Sequence, residues 1–268
     1  MSALDKLSIK KYPRTPHLEG SRLQEGDEDL SQIPFSAIAG KHLVVEEKCD
    51  GANSAVSFGA DGELLLQSRG HYLTGGDRER HYNLMKQWAT AHRDALFGLL
   101  GSRYILYGEW MYAKHTVFYD ALPHYFLEFD ILDRQTGIFL DTPTRRRMLE
   151  GLPVVSVPVL AEGRFAAKKD LLALLGPSRY ISGNQREVLI DSARRLGLDT
   201  ERCCRETELS GLMEGLYIKV EEDGRVVDRM KFVRTGFLQC VDFSGTHWLD
   251  RPIIPNRLAA SIDTLFCG

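Results

Sequence analysis

The chain is short of cysteine and of long apolar runs, and neither sign of charge dominates it. Its five cysteines, Cys49, Cys203, Cys204, Cys240 and Cys267, are odd in number and form no regular C-x-x-C framework. That argues against a secreted disulfide scaffold. No His or Cys pair at ligand spacing stands near another such pair, so a zinc site is not expected and the eight histidines are not read as ligands. No uncharged apolar run approaches the ~18–20 residues that span a bilayer. Met1-Ser2-Ala3-Leu4-Asp5-Lys6 lacks the apolar region of a signal peptide. Internal repeats and low-complexity tracts are missing as well. With 34 basic and 37 acidic side chains the formal net charge is −3, which excludes a generally polybasic nucleic-acid binder but not a local basic cleft. What is left is a soluble, cytoplasmic protein of 268 residues, long enough for one large domain or two small ones.

The first forty residues are rich in Pro, Gly and charge, as in Tyr12-Pro13-Arg14-Thr15-Pro16 and Glu25-Gly26-Asp27-Glu28-Asp29. They read as extended segments and loops. His42–Lys48 is a β-branched run leading to the turn signal Asp50-Gly51; Ser54–Phe58, a second turn at Asp61-Gly62 and Leu64-Leu65-Leu66 follow. Strand, turn and strand at this spacing predict antiparallel pairing. Residues 79–100 predict one helix, and 104–110 and 125–132 return to strand character. Thr142-Pro143 opens a helix carrying Arg145-Arg146-Arg147. Residues 165–176 and 184–196 predict helices, and 216–221 with 226–233 a hairpin around Glu222-Asp223-Gly224. Without a regular βαβ period the expected class is α+β with antiparallel sheets.

The most informative segment is Glu47-Lys48-Cys49-Asp50-Gly51-Ala52-Asn53. Lys-x-Asp-Gly alone arises by chance in roughly one such chain in twenty. It is followed, in order, by Ser68-Arg69-Gly70, Tyr107-Gly108-Glu109-Trp110, Phe126-Leu127-Glu128-Phe129-Asp130-Ile131, Glu214-Gly215-Leu216-Tyr217-Ile218-Lys219 and Arg229-Met230-Lys231-Phe232. Each sets charged or aromatic residues in a strand-like run, where alternation assigns side chains to faces. Singly, Glu109 and Glu214 read as surface carboxylates, Lys219 and Lys231 as an exposed hairpin's charges, and Phe126 and Phe129 as core.

Taken together, these residues resemble the covalent nucleotidyltransferases: ATP-dependent RNA and DNA ligases and mRNA capping enzymes. The resemblance runs over residues 48–231, and Asn53 is more similar to the RNA ligase 2-like branch. It implies a nucleotidyltransferase (ATP-grasp-like ligase) fold of antiparallel sheets flanked by helices. It also implies ATP as AMP donor and Mg²⁺ or Mn²⁺ as cofactor. Lys48 becomes the nucleophile, with Lys219 and Lys231 catalytic beside it. Glu47, Asn53, Arg69, Glu109, Phe129, Lys219 and Lys231 would bind the nucleotide, and Asp50, Glu109 and Glu214 the metal. The chemistry suits these residue types. A lysine attacks phosphorus only when unprotonated, so its pKa must fall below the free value of about 10.4, and Lys219 and Lys231 are expected to supply the cationic field that lowers it. Carboxylates are Mg²⁺ ligands. Phe126 and Phe129 fall on opposite faces of one strand, so one of them faces the base, and the family pattern favours Phe129.

Residues 232–268 follow the last lysine motif, too few for the OB domain of DNA ligases and capping enzymes. The expected layout is an N-terminal substrate or packing segment (1–40), an adenylyltransferase domain (41–240) with a helical insertion at about 161–212, and a tail (241–268). The expected activity is an RNA ligase joining 5′-phosphate and 3′-hydroxyl ends through lysyl-AMP and an RNA-adenylate, with an end-healing kinase or phosphatase as companion and no membrane partner. A minimal DNA or nick ligase and a nucleotide-binding regulatory module are the alternatives. Lys10, Lys11, Arg14, Arg22 and Arg145 to Arg147 are candidate RNA contacts; for the Arg triplet a solvated helix start is the stronger reading. Cys49 is expected to pack inward, and Cys203-Cys204 to be inert.

Overall fold

The structure, a computed structural model, describes residues 9–23, 31–237 and 252–266. The loop expected over Glu25–Asp29, Cys240, Cys267 and much of the 241–268 tail lie outside the described residues. In chain order the strands are β1 (His17–Leu18), β2 (Gln32–Ile33), β3 (His42–Lys48), β4 (Ala52–Phe58), β5 (Leu64–Ser68), β6 (Tyr104–Trp110), β7 (Phe126–Asp133), β8 (Ile138–Phe139), β9 (Val155–Ser156), β10 (Val159–Arg164), β11 (Gly215–Glu222) and β12 (Arg225–Val233). The helices are α1 (Asn83–Ala91), α2 (Arg93–Leu100), α3 (Thr142–Leu149), α4 (Lys168–Leu172), α5 (Gln185–Arg195) and α6 (Thr200–Arg205).

The first sheet has the order β10-β3-β11-β12-β1-β2, and the second β5-β4-β6-β7-β8 with β9 beside β7. The long strands pair antiparallel, as the short strand-turn-strand spacing predicts; β1 joins β12 in parallel, with His17 opposite Lys231. The fold is α+β. The outer face of the second sheet packs on α1 and α2, where Trp88, Met85 and Leu96 meet Phe58, Leu106 and Phe126. The first sheet buries Leu43, Val45, Ile218 and Met230 against Ile38 and Leu171. Between the sheets lies a third cluster, in which Tyr12, Tyr107 and Ile105 meet Phe129 and Tyr217. That third layer carries the site. No helix among the described residues is long and apolar enough to cross a membrane.

The predicted strands are found with bounds shifted by a residue or two, and α3 starts where expected, with the Asp141 side chain accepting from the Thr144 N–H at 3.0 Å. Residues 79–100 differ: a 3-10 turn over Asp77–Tyr82 leads into α1 and α2, which are broken at His92. The break lets the buried His92 ring donate Nε2–H to the Leu265 carbonyl at 2.7 Å. The helix expected over 165–176 is reduced to α4. Residues 161–164, taken as the start of a helical insertion, belong instead to β10 and pair with β3. Ala161, Glu162, Gly163 and Arg164 alternate in burial, a two-residue period too short to stand out beside the helical stretches that follow.

Candidate active site

Strand β3 opens on Leu43, Val44 and Val45, all buried, and ends on three polar residues, Glu46, Glu47 and Lys48. The apolar half anchors the strand; the polar half reaches the space between the sheets. There the chain turns sharply into β4. Gly51 in this turn is needed for space rather than for its backbone angle. A Cβ at this position would stand 2.7 Å from Met111 Sδ and 2.9 Å from Glu109 Cγ. Opposite Lys48 on β11 is Gly215, where a Cβ would overlap the Phe232 carbonyl. Both contacts force the chain close to the lysine. The residue before Gly215 reaches it directly: Lys48 Nζ and Glu214 Oε2 are 2.7 Å apart.

The cleft between the sheets has a cavity volume of about 150 Å³ and opens to solvent. Of the residues expected there, Glu47, Lys48, Asn53, Arg69, Glu109, Phe129 and Lys231 all line it. Asn53 and Glu109 are cross-strand partners on β4 and β6, so one register fixes both. Glu47 Oε1 accepts from Ser178 Oγ at 2.5 Å and Oε2 from the Arg179 N–H at 3.2 Å; burial raises its carboxyl pKa against those bonds. Phe129 lines the cleft, whereas Phe126 is wholly buried and stacks on Trp88 at 5.1 Å between centroids. The face argument for Phe129 holds.

Two expectations need correction. Lys219 does not share the cleft with Lys231. It lies fully buried on β11, with Nζ 2.9 Å from Glu46 Oε2 and 3.2 Å from Asp130 Oδ1, and it also donates to the Phe129 carbonyl. The register explains this: Lys231 pairs across with Tyr217, and Lys219 with Arg229. Second, no cationic field depresses Lys48. Burial works to lower its pKa, but Glu214, Glu109 and Asp50 outweigh burial and hold the amine above its usual value as an ammonium ion. The carboxylates expected to hold metal, Glu214, Glu109 and Asp50, all act on the Lys48 amine, and among the described residues no group of three acidic, His or Cys side chains is disposed as a metal site. Asp50 Oδ2 accepts from the Thr116 and Val117 N–H groups at 2.7 Å each. Burial, helped by the Glu214 and Asp50 charges and opposed by Lys48, pushes the Glu109 carboxyl up to about 8. Burial first, then Asp50, raises Glu214 to about 7 against the pull of Lys48 and Lys231.

The sequence reading missed the floor and one wall of the cleft. Arg145 was a candidate RNA contact, but it is buried, donating Nη1 to Glu128 Oε1 at 2.6 Å and Nη2 to Glu46 Oε1 at 2.9 Å. Together with Lys219, Asp130 and Arg229 these residues make a charged layer joining both sheets and α3. Tyr12, Pro13 and Thr15 form a wall of the cleft. The Tyr12 hydroxyl donates to Asp130 Oδ2, and Tyr217 Oη lies 2.8 Å from Tyr12 Oη and 3.0 Å from Thr15 Oγ1. A signal for Tyr217 was present, since it shares a strand face with Lys219. Tyr12 carried none beyond an aromatic in a Pro-restrained segment.

A two-sheet cleft of this make-up, with a lysine at the end of one strand and an aromatic on the facing one, is the nucleotidyltransferase arrangement. The RNA ligase family model matches residues 41–233, and the chain belongs to that family. Among solved structures it resembles the RNA ligase of Naegleria gruberi. Against a mutant with ATP and Mn the TM-score is 0.52 at 19% identity, covering 86% of this chain and 58% of that one. Against the same ligase with PPi the TM-score is 0.51 at 19% identity, covering 86% and 57%. Against an apo mutant it is 0.53 at 17% identity, again covering 86% and 57%. The likeness is one of fold, and the chain covers less than two thirds of the Naegleria ligase. No curated protein matches it.

Proposed function

We propose that the chain is an ATP-dependent RNA ligase acting through lysyl-AMP at Lys48. The reading rests on one observation above the rest: the lysine of the Lys-x-Asp-Gly turn and six of its seven expected nucleotide contacts line one cleft, within a stretch matched by the RNA ligase family. In the first step Lys48, held as an ammonium ion, gives one proton to solvent, and its amine Nζ attacks the α-phosphorus of ATP. The bond to the oxygen bridging to the β-phosphate breaks, pyrophosphate leaves, and the nitrogen gives a second proton to solvent as the phosphoramidate forms. An RNA 5′-phosphate oxygen then attacks the same phosphorus, and Lys48 takes up a proton and leaves as an amine. In the last step a 3′-hydroxyl attacks the RNA 5′-phosphorus, giving up its proton, and AMP departs. Phe129 offers a face for adenine, Asn53 and Arg69 meet ribose and phosphate, and Lys231 opposes charge growing on the phosphates.

The donor chemistry fits a divalent cation. Asp50, Glu109 and Glu214 all act on the Lys48 amine, and carboxylates are the oxygen ligands that Mg²⁺ and Mn²⁺ take. Glu109 and Glu214 are the residues to hold it, with Asp50 fixed behind them by its backbone bonds. When bound, such an ion supplies charge neutralisation to the carboxylates and the triphosphate. On this reading residues 41–240 are the adenylyltransferase unit, 1–40 the substrate or packing segment from which Tyr12, Pro13 and Thr15 shape the cleft wall, and an end-healing enzyme supplies the 5′-phosphate and 3′-hydroxyl ends.

The test is covalent labelling. Incubation with α-labelled ATP and Mn²⁺ should leave label on the denatured protein, none of it in Lys48→Ala. An unlabelled wild type, or undiminished label in the variant, defeats the reading. Sealing of 5′-phosphate RNA against 5′-phosphate DNA then settles the strand class.

A further inference from the structure

Residues 252–266 lie beyond the family-matched stretch, and one of them is bonded to the segment that holds the nucleophile's turn. Asn256 is wholly buried. Its Oδ1 accepts from the Tyr119 N–H at 2.9 Å and its Nδ2 donates to the Met111 carbonyl at 2.7 Å. Its backbone N–H donates to the Tyr112 carbonyl at 2.8 Å, and its own carbonyl accepts from the Tyr125 hydroxyl at 2.7 Å. Four bonds from one residue thus hold the 111–125 segment at four places.

That segment in turn holds the nucleophile's turn. The buried Tyr119 hydroxyl accepts from the Asp50 N–H at 2.9 Å. The Asp50 carboxylate reaches back to the Thr116 and Val117 N–H groups. Met111 Sδ and the Trp110 carbonyl close on Gly51, leaving no room for a Cβ. Lys48-Cys49-Asp50-Gly51 is therefore gripped at Asp50 and Gly51. The grip is set through Tyr119 by a residue more than 200 positions further along the chain.

We infer that Asn256 is a positioning residue for Lys48, acting through Tyr119 and Asp50. The inference deepens the proposed adenylylation and rests on it. Asparagine is the side chain that fits, because the position asks for an acceptor toward Tyr119 and a donor toward Met111 at once. Aspartate keeps the shape and the acceptor, loses the donor, and sets a carboxylate oxygen against a carbonyl. Tyr119→Phe is milder still: it keeps the ring and leaves only the Asp50 N–H unpaired. Both changes act on the direction of the Lys48 amine and touch no part of the cleft wall. They should therefore alter the chemical step and spare nucleotide binding, since attack geometry is more sensitive to small displacement than affinity is.

The experiment is single-turnover labelling of the full chain with α-labelled ATP and Mn²⁺ over a range of ATP concentrations. Wild type, Tyr119→Phe, Asn256→Asp and Leu96→Ala are compared, with thermal midpoints measured alongside. Leu96 is buried in α2, against the outer face of the second sheet, and reports on lost stability alone. The expected result is a maximal labelling rate lowered about tenfold in Tyr119→Phe and at least as much in Asn256→Asp. Half-saturating ATP should stay within about twofold in both, and Leu96→Ala should label at the wild-type rate. Wild-type rates in both relay variants would overturn the inference. So would a shift of half-saturating ATP at unchanged maximal rate, or an equal slowing in Leu96→Ala. An unlabelled wild type would instead defeat the adenylylation reading, and this inference with it.

Discussion

Two lysines on neighbouring strands of one sheet are both held by carboxylates, and they are held in opposite ways. Lys219 is fully enclosed with Glu46 and Asp130, while Arg145 joins Glu46 to Glu128 and Arg229 stands 3.9 Å from Asp130. Three acids face three bases. Burial acts against the Asp130 carboxylate, yet Lys219, Arg229 and Arg145 keep its pKa below the ordinary value. Lys48 keeps a fifth of its side chain exposed and answers Glu214, Glu109 and Asp50 with a single charge of its own. There burial lifts the Glu109 and Glu214 carboxyls to about 8 and about 7, while in the layer it lifts Glu46 but not Asp130. A balanced layer is complete without a ligand. On the proposed reading an unbalanced one would be completed by a bound cation, and that difference would separate the scaffold from the site.

Removing a base from the balanced layer should give the largest effect on stability. Arg145→Met leaves Glu128 without a base and Glu46 with Lys219 alone, and unpairing a buried charge costs about 3–5 kcal/mol. Urea unfolding should show that loss as a lower midpoint with an unchanged slope. A loss under about 1 kcal/mol would mean that the layer is not held by charge balance, and the contrast with Lys48 would collapse.

The unbalanced site gives a smaller, pH-dependent effect. Glu109 has a folded value of about 8 and Glu214 of about 7, against an ordinary 4.5. For a carboxyl raised by folding, the folded state holds the proton more tightly. Its stabilisation is complete below about 4.5 and is lost as pH rises through 7 to 8. Without metal the protein should therefore become less stable between pH 5 and pH 8. Added Mn²⁺ should offset the fall at pH 8, and Glu109→Gln should flatten it. Asp130 contributes the other way: its stabilisation is present above 3.8 and disappears only in stronger acid. A metal-free profile that is level from pH 5 to pH 8 would contradict the charge surplus at Lys48.

The same contrast explains what was legible in the sequence. The long strands and the hairpin could be read because β-branched runs and Asp-Gly turns act locally, and the cleft's lining could be read because the motifs occur in a fixed order. Lys219 was misplaced because alternation gives a face but not what lies across from it. Only the three-dimensional pairing of β11 with β3, and of the first sheet with the second, sets Glu46 and Asp130 there. Asn256 and Tyr12 were invisible for a related reason. Each acts on a residue more than a hundred positions away, and neither stands in a pattern with its neighbours. Arg145 was the plainest trap, since three consecutive arginines read as one basic patch.

That triplet offers the finest test of the comparison. Successive residues on a helix point about 100° apart, so three in a row cannot share a face. Arg145 turns inward to the two carboxylates. Arg146 is half exposed, with Nη1 3.4 Å from Glu162 Oε2, and Arg147 is exposed and donates to Thr144 Oγ1 at 3.0 Å. Exposed pairs of this kind are screened and must order two long side chains, so they contribute about 0–1 kcal/mol. Arg146→Ala and Arg147→Ala should therefore each unfold within about 0.5 kcal/mol of wild type, and the label at Lys48 should be unchanged. One position earlier, the same residue type should cost several times more. If Arg146→Ala destabilised the chain as much as Arg145→Met, burial and charge balance would not be what divides the two regions, and the helix itself would be the element at stake.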